Sequence, residues 1–136
     1  FETLPVGRGR RLREGRDVAL VTVGTVGNAA ARAAERAAAQ GVEAAHYDLR
    51  WVKPLDTELL DEVGRTFRRV ITVEDGCLRG GVGEAVAAYF NARGYDAHVT
   101  CLGIGDAWVE HGTPEQLHAL CGYDEESILR ALTQSV

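Results

Sequence analysis

The stretch from residue 70 to residue 89 constrains the fold more than any other, because it joins a strand, a glycine-rich turn and a helix. Its sequence is VITVEDGCLRGGVGEAVAAY. β-Branched residues fill the first four positions, and apolar residues recur at helical spacing after the glycines. Such a unit is typical of an open parallel sheet, in which ligands and partners gather where the carboxyl ends of the strands meet the loops.

The same alternation of strands and helices extends along the chain. A short edge strand is predicted at 10–13, further strands at 17–24, 44–49, 70–75 and 97–102, and helices at 29–40, 57–67, 82–93, 114–121 and 125–132. This order predicts an α/β fold of three layers, with a mostly parallel sheet between helices. Thr113, Pro114 and Gln116 form the clearest helix start, a capping box. Leu117 and Leu120 are expected on the inner side of that helix.

The first nine residues are predicted to be a linker from upstream, and residues 10–136 a single domain. Pro5, Gly7 and Gly9 interrupt the first segment, which has no periodicity. At 136 residues the chain is long enough for one well-buried domain. The sequence begins with Phe1 and contains no methionine, so we expect it to be a piece of a longer protein.

Charge and cysteine content argue against several classes of function. The net charge of −5 disfavours a surface for nucleic acid or for an anionic membrane. Four arginines between residues 8 and 13 are followed by acidic residues, and no aromatic residue lies among them for base stacking. Three cysteines without CxxC spacing indicate neither a disulfide framework nor a zinc site, which favours a cytoplasmic location. No apolar run approaches the roughly 18 residues of a membrane span.

Two glycine-rich turns are candidates for binding phosphate or a nucleotide. Gly80, Gly81 and Gly83 precede a helix, whose first amides and dipole favour anions. The dinucleotide fingerprint fails there, because a valine stands where it needs glycine or alanine, and no Walker lysine follows. We therefore favour a tight turn and close helix packing. The turn at 24–27 is poorer in glycine, although Asp48 ends the next strand as a ribose-binding acid would.

Acidic residues and histidines near the strand ends have spacings that argue against acid-base catalysis. Glu74 and Asp75 are adjacent, so an extended backbone directs them to opposite faces. One of them is expected to bind loop amides or a neighbouring subunit. Glu110 and His111 could form half of a proton relay, yet no nucleophile is placed to use it, and a hydrogen-bonded loop histidine is favoured. Histidine spacing indicates no metal site.

Two loop tryptophans are expected to mark a surface for a partner. Trp51 and Trp108 each follow a predicted strand, and large aromatic residues in such loops are typical of interfaces. The residues by themselves therefore predict an α/β domain of a larger protein. We assign no catalytic, cofactor-binding or metal-binding residue to it.

Three segments of the chain carry a resemblance to a known family. They are YDLRWVKPLD at 47–56, TVEDG and GGVG within 72–83, and the stretch 102–124 with VEHGT and LCGYD. Together they resemble the carboxyl-terminal domain of the 1-deoxy-D-xylulose-5-phosphate synthase family, from about Pro5 to Leu132. Gly105 stands where the family tends to have proline, and Glu84 where it often has serine. These departures affect loop shape and not membership.

The resemblance implies an enzyme of which this chain is the third domain. Members of that family are transferases that condense pyruvate, after its decarboxylation, with D-glyceraldehyde 3-phosphate in isoprene and thiamine biosynthesis. They use thiamine diphosphate and Mg²⁺, held by two upstream domains. The third domain is similar to the closing domain of transketolases, a five-stranded mixed sheet with one antiparallel strand, for which Arg10–Arg13 is the candidate. It supports a cytoplasmic homodimer.

The resemblance therefore implies that this domain alone is inactive and contacts the upstream domains and a second copy. The structural or interface candidates are Glu74, Asp75, Gly80, Gly81, Gly83, Glu110 and His111. Two alternatives stay open. One is the equivalent domain of another thiamine enzyme, a transketolase or a 2-oxoacid dehydrogenase β subunit. The other is a free-standing nucleotide-binding module that uses the turn at Gly24.

Overall fold

Strands and helices follow one another in the predicted order. The computed structural model describes residues 1–134, with the elements β1 Arg10–Arg13, β2 Val18–Val23, α1 Gly27–Ala38, β3 Ala44–Asp48, α2 Thr57–Thr66, β4 Arg69–Cys77, α3 Val82–Arg93, β5 His98–Ile104, α4 Pro114–Cys121 and α5 Glu125–Thr133. Of the helices in this range, none combines the length and the apolar character needed to cross a membrane.

The strands form one sheet in the order β1-β3-β2-β4-β5. β2 pairs in parallel with both β3 and β4, and β4 pairs in parallel with β5. β1 is antiparallel to β3, with Arg10 opposite Asp48. The structure therefore confirms the five-stranded mixed sheet and the reversed edge strand at Arg10–Arg13, and it places β2 at the centre of the sheet.

Alternate side chains of the central strand point into two separate cores. Val18 and Leu20 pack with α1 and α5 on one face, whereas Ala19 and Val21 pack with α2 and α3 on the other. All four side chains are buried, as expected for a strand that is covered on both sides. The sheet thus lies between two helical layers, which confirms the predicted α/β/α arrangement.

Helix α4 departs in part from its prediction. Its capping box forms as expected, since the Gln116 N–H donates to Thr113 Oγ1 at 3.3 Å and the Thr113 N–H donates to Gln116 Oε1 at 3.1 Å. Leu117, however, is only partly buried, and Leu120 is 73% exposed. The inward orientation predicted for Leu120 is wrong, because α1 and α5 already cover that face of the sheet and α4 contributes no buried residue.

Strands β4 and β5 extend further than predicted. Cys77 pairs with Ile104 beyond an irregularity that follows Val73, and the Leu78 N–H donates to the Ile104 carbonyl at 2.8 Å. The sequence predicted strand ends near residues 75 and 102, because a glycine follows each as a turn signal. Pairing between the two segments outweighs those local signals, and it holds the loop after β5 beside the loop after β4.

Asp61 connects α2 to α3 and to the turn before β5. Its carboxylate accepts hydrogen bonds from the Tyr95 hydroxyl at 2.7 Å, the Tyr89 hydroxyl at 2.8 Å and Arg93 at 2.9 Å. The two tyrosine hydroxyls, with Arg93, lower the pKa of Asp61 from 3.8 to about 2. The carboxylate therefore stays charged and holds one helical layer together.

His46 on β3 is a buried base. It is 1% exposed, and its Nε2 lies 2.9 Å from Thr22 Oγ1 on the neighbouring strand. Burial lowers the pKa of His46 from 6.5 to about 4; the charge of Asp48 opposes this shift, and that of Arg10 adds to it. The imidazole is therefore neutral in the folded domain at neutral pH.

Protonation of His46 should couple the stability of the domain to pH. The unfolded chain binds this proton near pH 6.5 and the folded chain only near pH 4, so stability that is present above pH 6.5 is lost as the pH falls toward 4. The expected loss is about 3 kcal/mol in the free energy of unfolding. Urea denaturation across this pH range measures it.

The matched variants for this measurement are His46→Gln and His98→Gln. The first should lose the pH dependence between these two values, because glutamine does not titrate. The second removes an exposed histidine of β5 and should keep it. Equal pH dependence in the wild type and in His46→Gln would contradict the assignment.

Candidate functional site

The carboxylate of Glu74 lies at the amino terminus of α3. Glu74 is 5% exposed; its Oε1 accepts from the Val82 N–H at 3.0 Å and its Oε2 from the Gly83 N–H at 2.7 Å. Gly81 precedes the helix and has no side chain to cap it, so Glu74 supplies the cap and complements the positive end of the helix dipole. One residue of the Glu74–Asp75 pair was expected to bind loop amides or a neighbouring subunit; Glu74 binds the first two amides of α3, directly after the loop.

The glycines of this turn are required by backbone geometry and by close packing. Gly80 has a φ of 71°, in the left-handed region that favours glycine, and its N–H donates to Glu84 Oε2 at 2.7 Å. A Cβ on Gly83 would lie 2.6 Å from Cys101 Sγ, and a Cβ on Gly81 would overlap the backbone of β4. The tight turn and close helix packing predicted for these glycines are confirmed.

The backbone amides of this turn are paired within the chain, so they do not fit a phosphate group. The Gly80 N–H binds Glu84, the Gly81 N–H donates to the Leu78 carbonyl at 3.1 Å, and Glu74 occupies the next two amides. The diphosphate of a thiamine cofactor would need those donors and would meet two carboxylates. No cofactor step is therefore assigned to these residues.

A metal ion finds no ready set of ligands in residues 1–134 either. No group of three or more histidine, cysteine, aspartate or glutamate side chains in this range is arranged to hold one. Hard cations such as Mg²⁺ are held by several oxygen ligands that point to a common centre. The described residues therefore do not fit a magnesium site.

Backbone amides are also paired within the chain at the first glycine-rich turn, residues 24–27. Two amides at the start of α1 donate to carbonyl oxygens of the turn itself. The carboxylate of Asp48 accepts from Arg10 Nε at 3.1 Å and from the Arg50 N–H at 3.0 Å. The acid that a nucleotide-binding module would use for a ribose is therefore engaged in holding β1 and the loop after β3.

Asp75 points away from Glu74, as predicted for neighbours on an extended strand. Its Oδ1 accepts from the Tyr123 hydroxyl at 2.7 Å, and its Oδ2 lies 3.6 Å from His118 Nε2. Burial, and then the hydrogen bond to Asp75, raises the pKa of Tyr123 well above its usual range. The hydroxyl thus remains a donor at neutral pH and ties the turn before α5 to β4.

Glu110 and His111 lie in the loop after β5, beside this cluster. They line a cleft of about 400 Å³ together with Asp75, His118 and Tyr123. Both side chains are exposed, and within residues 1–134 neither forms a side-chain hydrogen bond, so the bond predicted for His111 is not formed. The two residues lack the hydrogen-bonded partner that a proton relay needs.

Sequence reasoning missed the partner of Asp75. Tyr123 lies 48 residues further along the chain, and no local periodicity connects positions so far apart. The available signal is its place between Gly122, which ends α4, and Asp124, which caps α5. An aromatic residue directly after a helix-ending glycine is typical of a contact that anchors the turn.

The two loop tryptophans differ in exposure. Trp108 is fully exposed. Trp51 is partly buried, and its Nε1 is shielded from solvent without a hydrogen-bond partner among the described residues. Of the two, Trp108 has the exposure expected of a partner surface.

Replacing Glu74 should destabilise the domain because the α3 amides lose a charged acceptor. We expect Glu74→Gln to lower the free energy of unfolding by about 1.5–3 kcal/mol, the usual contribution of hydrogen bonds to a charged group. Urea denaturation of the isolated chain measures this. Glu84→Gln, which changes an exposed acceptor of the same turn, is the matched control and should cost less. Equal stability of Glu74→Gln and the wild type would refute the capping role.

Adding a methyl group at Gly83 should disturb the packing of α3 on β5. Gly83→Ala is expected to lower the free energy of unfolding by about 1–3 kcal/mol, because its Cβ would overlap Cys101. The control is Gly105→Ala, whose Cβ would enter open space and should change stability by less than about 0.5 kcal/mol. Similar values for the two variants in thermal or urea unfolding would show that Gly83 is not packed as described.

Comparison with known proteins finds relatives along nearly the whole chain. A family model described as Transketolase, C-terminal domain, matches residues 7–128. The 1-deoxy-D-xylulose-5-phosphate synthase of Bacteroides fragilis is 48% identical over 136 residues, which are 99% of this chain and 21% of that protein. The protein of the same name in Bacteroides thetaiotaomicron is 48% identical, over 97% of this chain and 21% of that protein. The one in Acidovorax ebreus is 41% identical, over 98% of this chain and 20% of that protein. The chain thus spans about a fifth of the length of these relatives.

A solved structure shares the fold. It is described as a split gene transketolase, inactive beta4 tetramer, and it matches with a TM-score of 0.88 and 34% identity over 95% of this chain and 42% of that one. The relatives confirm the resemblance found in the sequence, and the solved structure confirms the fold predicted from it. Because the family model covers most of the residues, the chain belongs to the transketolase C-terminal domain family.

Proposed function

We propose that this chain is the carboxyl-terminal domain of a 1-deoxy-D-xylulose-5-phosphate synthase. The observation that carries the proposal is the 48% identity of 99% of the chain to a fifth of the Bacteroides fragilis enzyme. The complete protein is then a transketolase-type transferase. It decarboxylates pyruvate and joins the remaining two-carbon unit to D-glyceraldehyde 3-phosphate, in isoprene and thiamine biosynthesis.

The role that we propose for this domain is structural. Thiamine diphosphate and Mg²⁺ belong to upstream domains of the same polypeptide, and residues 10–136 support the assembly of a cytoplasmic homodimer. Residues 1–9 form the linker between the two parts. The proposal is supported by the amides of Gly80, Gly81, Val82 and Gly83, which are paired within the chain and are therefore not free to bind a diphosphate. The isolated domain is accordingly inactive.

The candidate residues divide into two groups within this proposal. Glu74 and the glycines at 80, 81 and 83 hold β4 to α3, and Asp75 holds β4 to the turn before α5. Glu110 and His111 are exposed beside the cleft and are proposed as contact residues for the rest of the protein. None of the seven is proposed to touch substrate.

A second candidate function is the matching domain of a transketolase. The observation that favours it is the likeness to the split gene transketolase, at a TM-score of 0.88 and 34% identity. The two candidates share the fold and the cofactor but differ in the donor substrate. A transketolase moves a two-carbon unit between sugar phosphates, whereas the synthase takes that unit from pyruvate and releases CO₂.

Assays of two proteins test the proposal. The longer polypeptide, which includes the segment before residue 1, should form 1-deoxy-D-xylulose 5-phosphate and CO₂ from pyruvate and D-glyceraldehyde 3-phosphate in the presence of thiamine diphosphate and Mg²⁺. Residues 1–136 alone should form none, although circular dichroism should show them folded. Transfer between sugar phosphates without use of pyruvate would favour the transketolase. Product from the isolated domain would disprove its inactivity.

A further inference from the structure

The polypeptide reaches this domain at the side of the sheet where the parallel strands end. We call this side the carboxyl edge, and it consists of residues 1–9, 49–56, 76–81 and 105–113. β1 runs opposite to β3, so Arg10 lies beside the last residue of β3. The Gly9 N–H donates to Asp56 Oδ2 at 2.9 Å, and Arg8 pairs with Glu58 at 2.6 Å. Any polypeptide before residue 1 therefore approaches the domain from the carboxyl edge.

Large apolar side chains are exposed at the same edge. Trp108, in the loop after β5, has a relative exposure of 104%. Its neighbour Val109 is also exposed, as are Val52 in the loop after β3 and Val6 in the first segment. An indole is one of the largest apolar surfaces that a side chain presents, and large apolar side chains left exposed along one edge are typical of an interaction site.

Grooves lie on both sides of the Trp108 loop. One, of about 350 Å³, is lined by Cys77, Ile104 and Trp108. The other is the cleft of about 400 Å³ already described, whose walls include Val109 and Tyr123. An exposed aromatic side chain between two partly apolar grooves resembles the centre of a protein interface, where a few buried anchors contribute most of the binding energy.

The first segment and Trp108 are close enough for one domain to cover both. β1 and β5 are the two outer strands of the sheet, and their four strand spacings amount to about 19 Å. This is less than the diameter of a small domain, about 30 Å. A domain joined to residue 1 can therefore contact the whole carboxyl edge without a long linker.

Given the proposed function, on which this inference rests, we infer that the domain immediately before residue 1 in the same polypeptide docks on the carboxyl edge and buries Trp108. The identity of the docked domain is inferred from the relatives. The matched segment is about a fifth of their length, so most of their polypeptide lies outside it. The docking surface is inferred from the direction in which residues 1–9 enter the domain. Trp108 and Val109 are the anchors of this interface, and the two grooves receive side chains of the preceding domain.

Thiol labelling of the longer polypeptide and of the isolated chain tests the inference. Cys77 is exposed and lines one of the grooves, so the native protein already carries a reporter. Trp108→Cys adds a second reporter in the loop itself. The matched control is Asp96→Cys, whose side chain is 84% exposed in the turn before β5, at the opposite side of the sheet. Maleimide labelling, followed by peptide mass spectrometry, reads each thiol separately.

Burial at the carboxyl edge should slow labelling there and nowhere else. Cys77 and Trp108→Cys should react about tenfold or more slowly in the longer polypeptide than in the isolated chain, because a covered thiol reacts only when the interface opens. Asp96→Cys should react at the same rate in both. Because Cys77 needs no substitution, the result does not depend on how a variant folds.

Three other outcomes would overturn the inference. Equal labelling of Cys77 in both proteins, with synthase activity in the longer one, would refute the docking surface and leave the proposed function intact. Slower labelling of Asp96→Cys as well would show that the protection is not specific to the carboxyl edge. If these thiols lose their protection when the longer protein is diluted until it dissociates into single copies, the surface is covered by a second copy and not by the preceding domain. Absence of synthase activity would instead count against the proposed function.

Discussion

The contact of the Glu74 carboxylate with the first amides of α3 fixes the relation between the sheet and one helical layer. It joins the end of β4 to the start of the helix through two hydrogen bonds of 3.0 and 2.7 Å from a side chain that is almost fully buried. An ionised group in such a place is stabilised by directed N–H donors and by the helix dipole. The neighbouring glycines follow from it, because a Cβ on Gly81 would overlap this carboxylate.

The same contact separates two interpretations of a glycine-rich turn before a helix. Such turns bind phosphate because their amides are free and the helix dipole attracts anions. Here an internal anion occupies that position, and a second carboxylate, Glu84, takes the Gly80 amide. The turn therefore resembles a phosphate-binding loop in sequence but acts as a structural joint. The distinction lies in which groups pair with the amides, and glycine spacing alone does not show it.

Sequence reasoning predicted the parts of the fold that depend on local pattern. The strand β2 and the capping box at Thr113 lie where the pattern predicted them, because each depends on residues a few positions apart. Contacts across long separations could not be predicted in this way. Tyr123 with Asp75 and the tyrosines with Asp61 are examples, because only the folded sheet brings these residues together. The prediction that Leu120 faces inward was wrong for the same reason, because its exposure depends on which helices already cover the sheet.

The arginines of strand β1 affect whether this edge of the sheet can pair with a strand of another chain. β1 is an outer strand with three arginines in four positions, and its side chains pair with acidic residues of the same domain: Arg10 with Asp48, Arg11 with Glu62 and Arg13 with Glu43. Positive side chains along a free strand disfavour the addition of an identical strand, since like charges would lie opposite one another. Fibril-like growth of the sheet is therefore discouraged on this side.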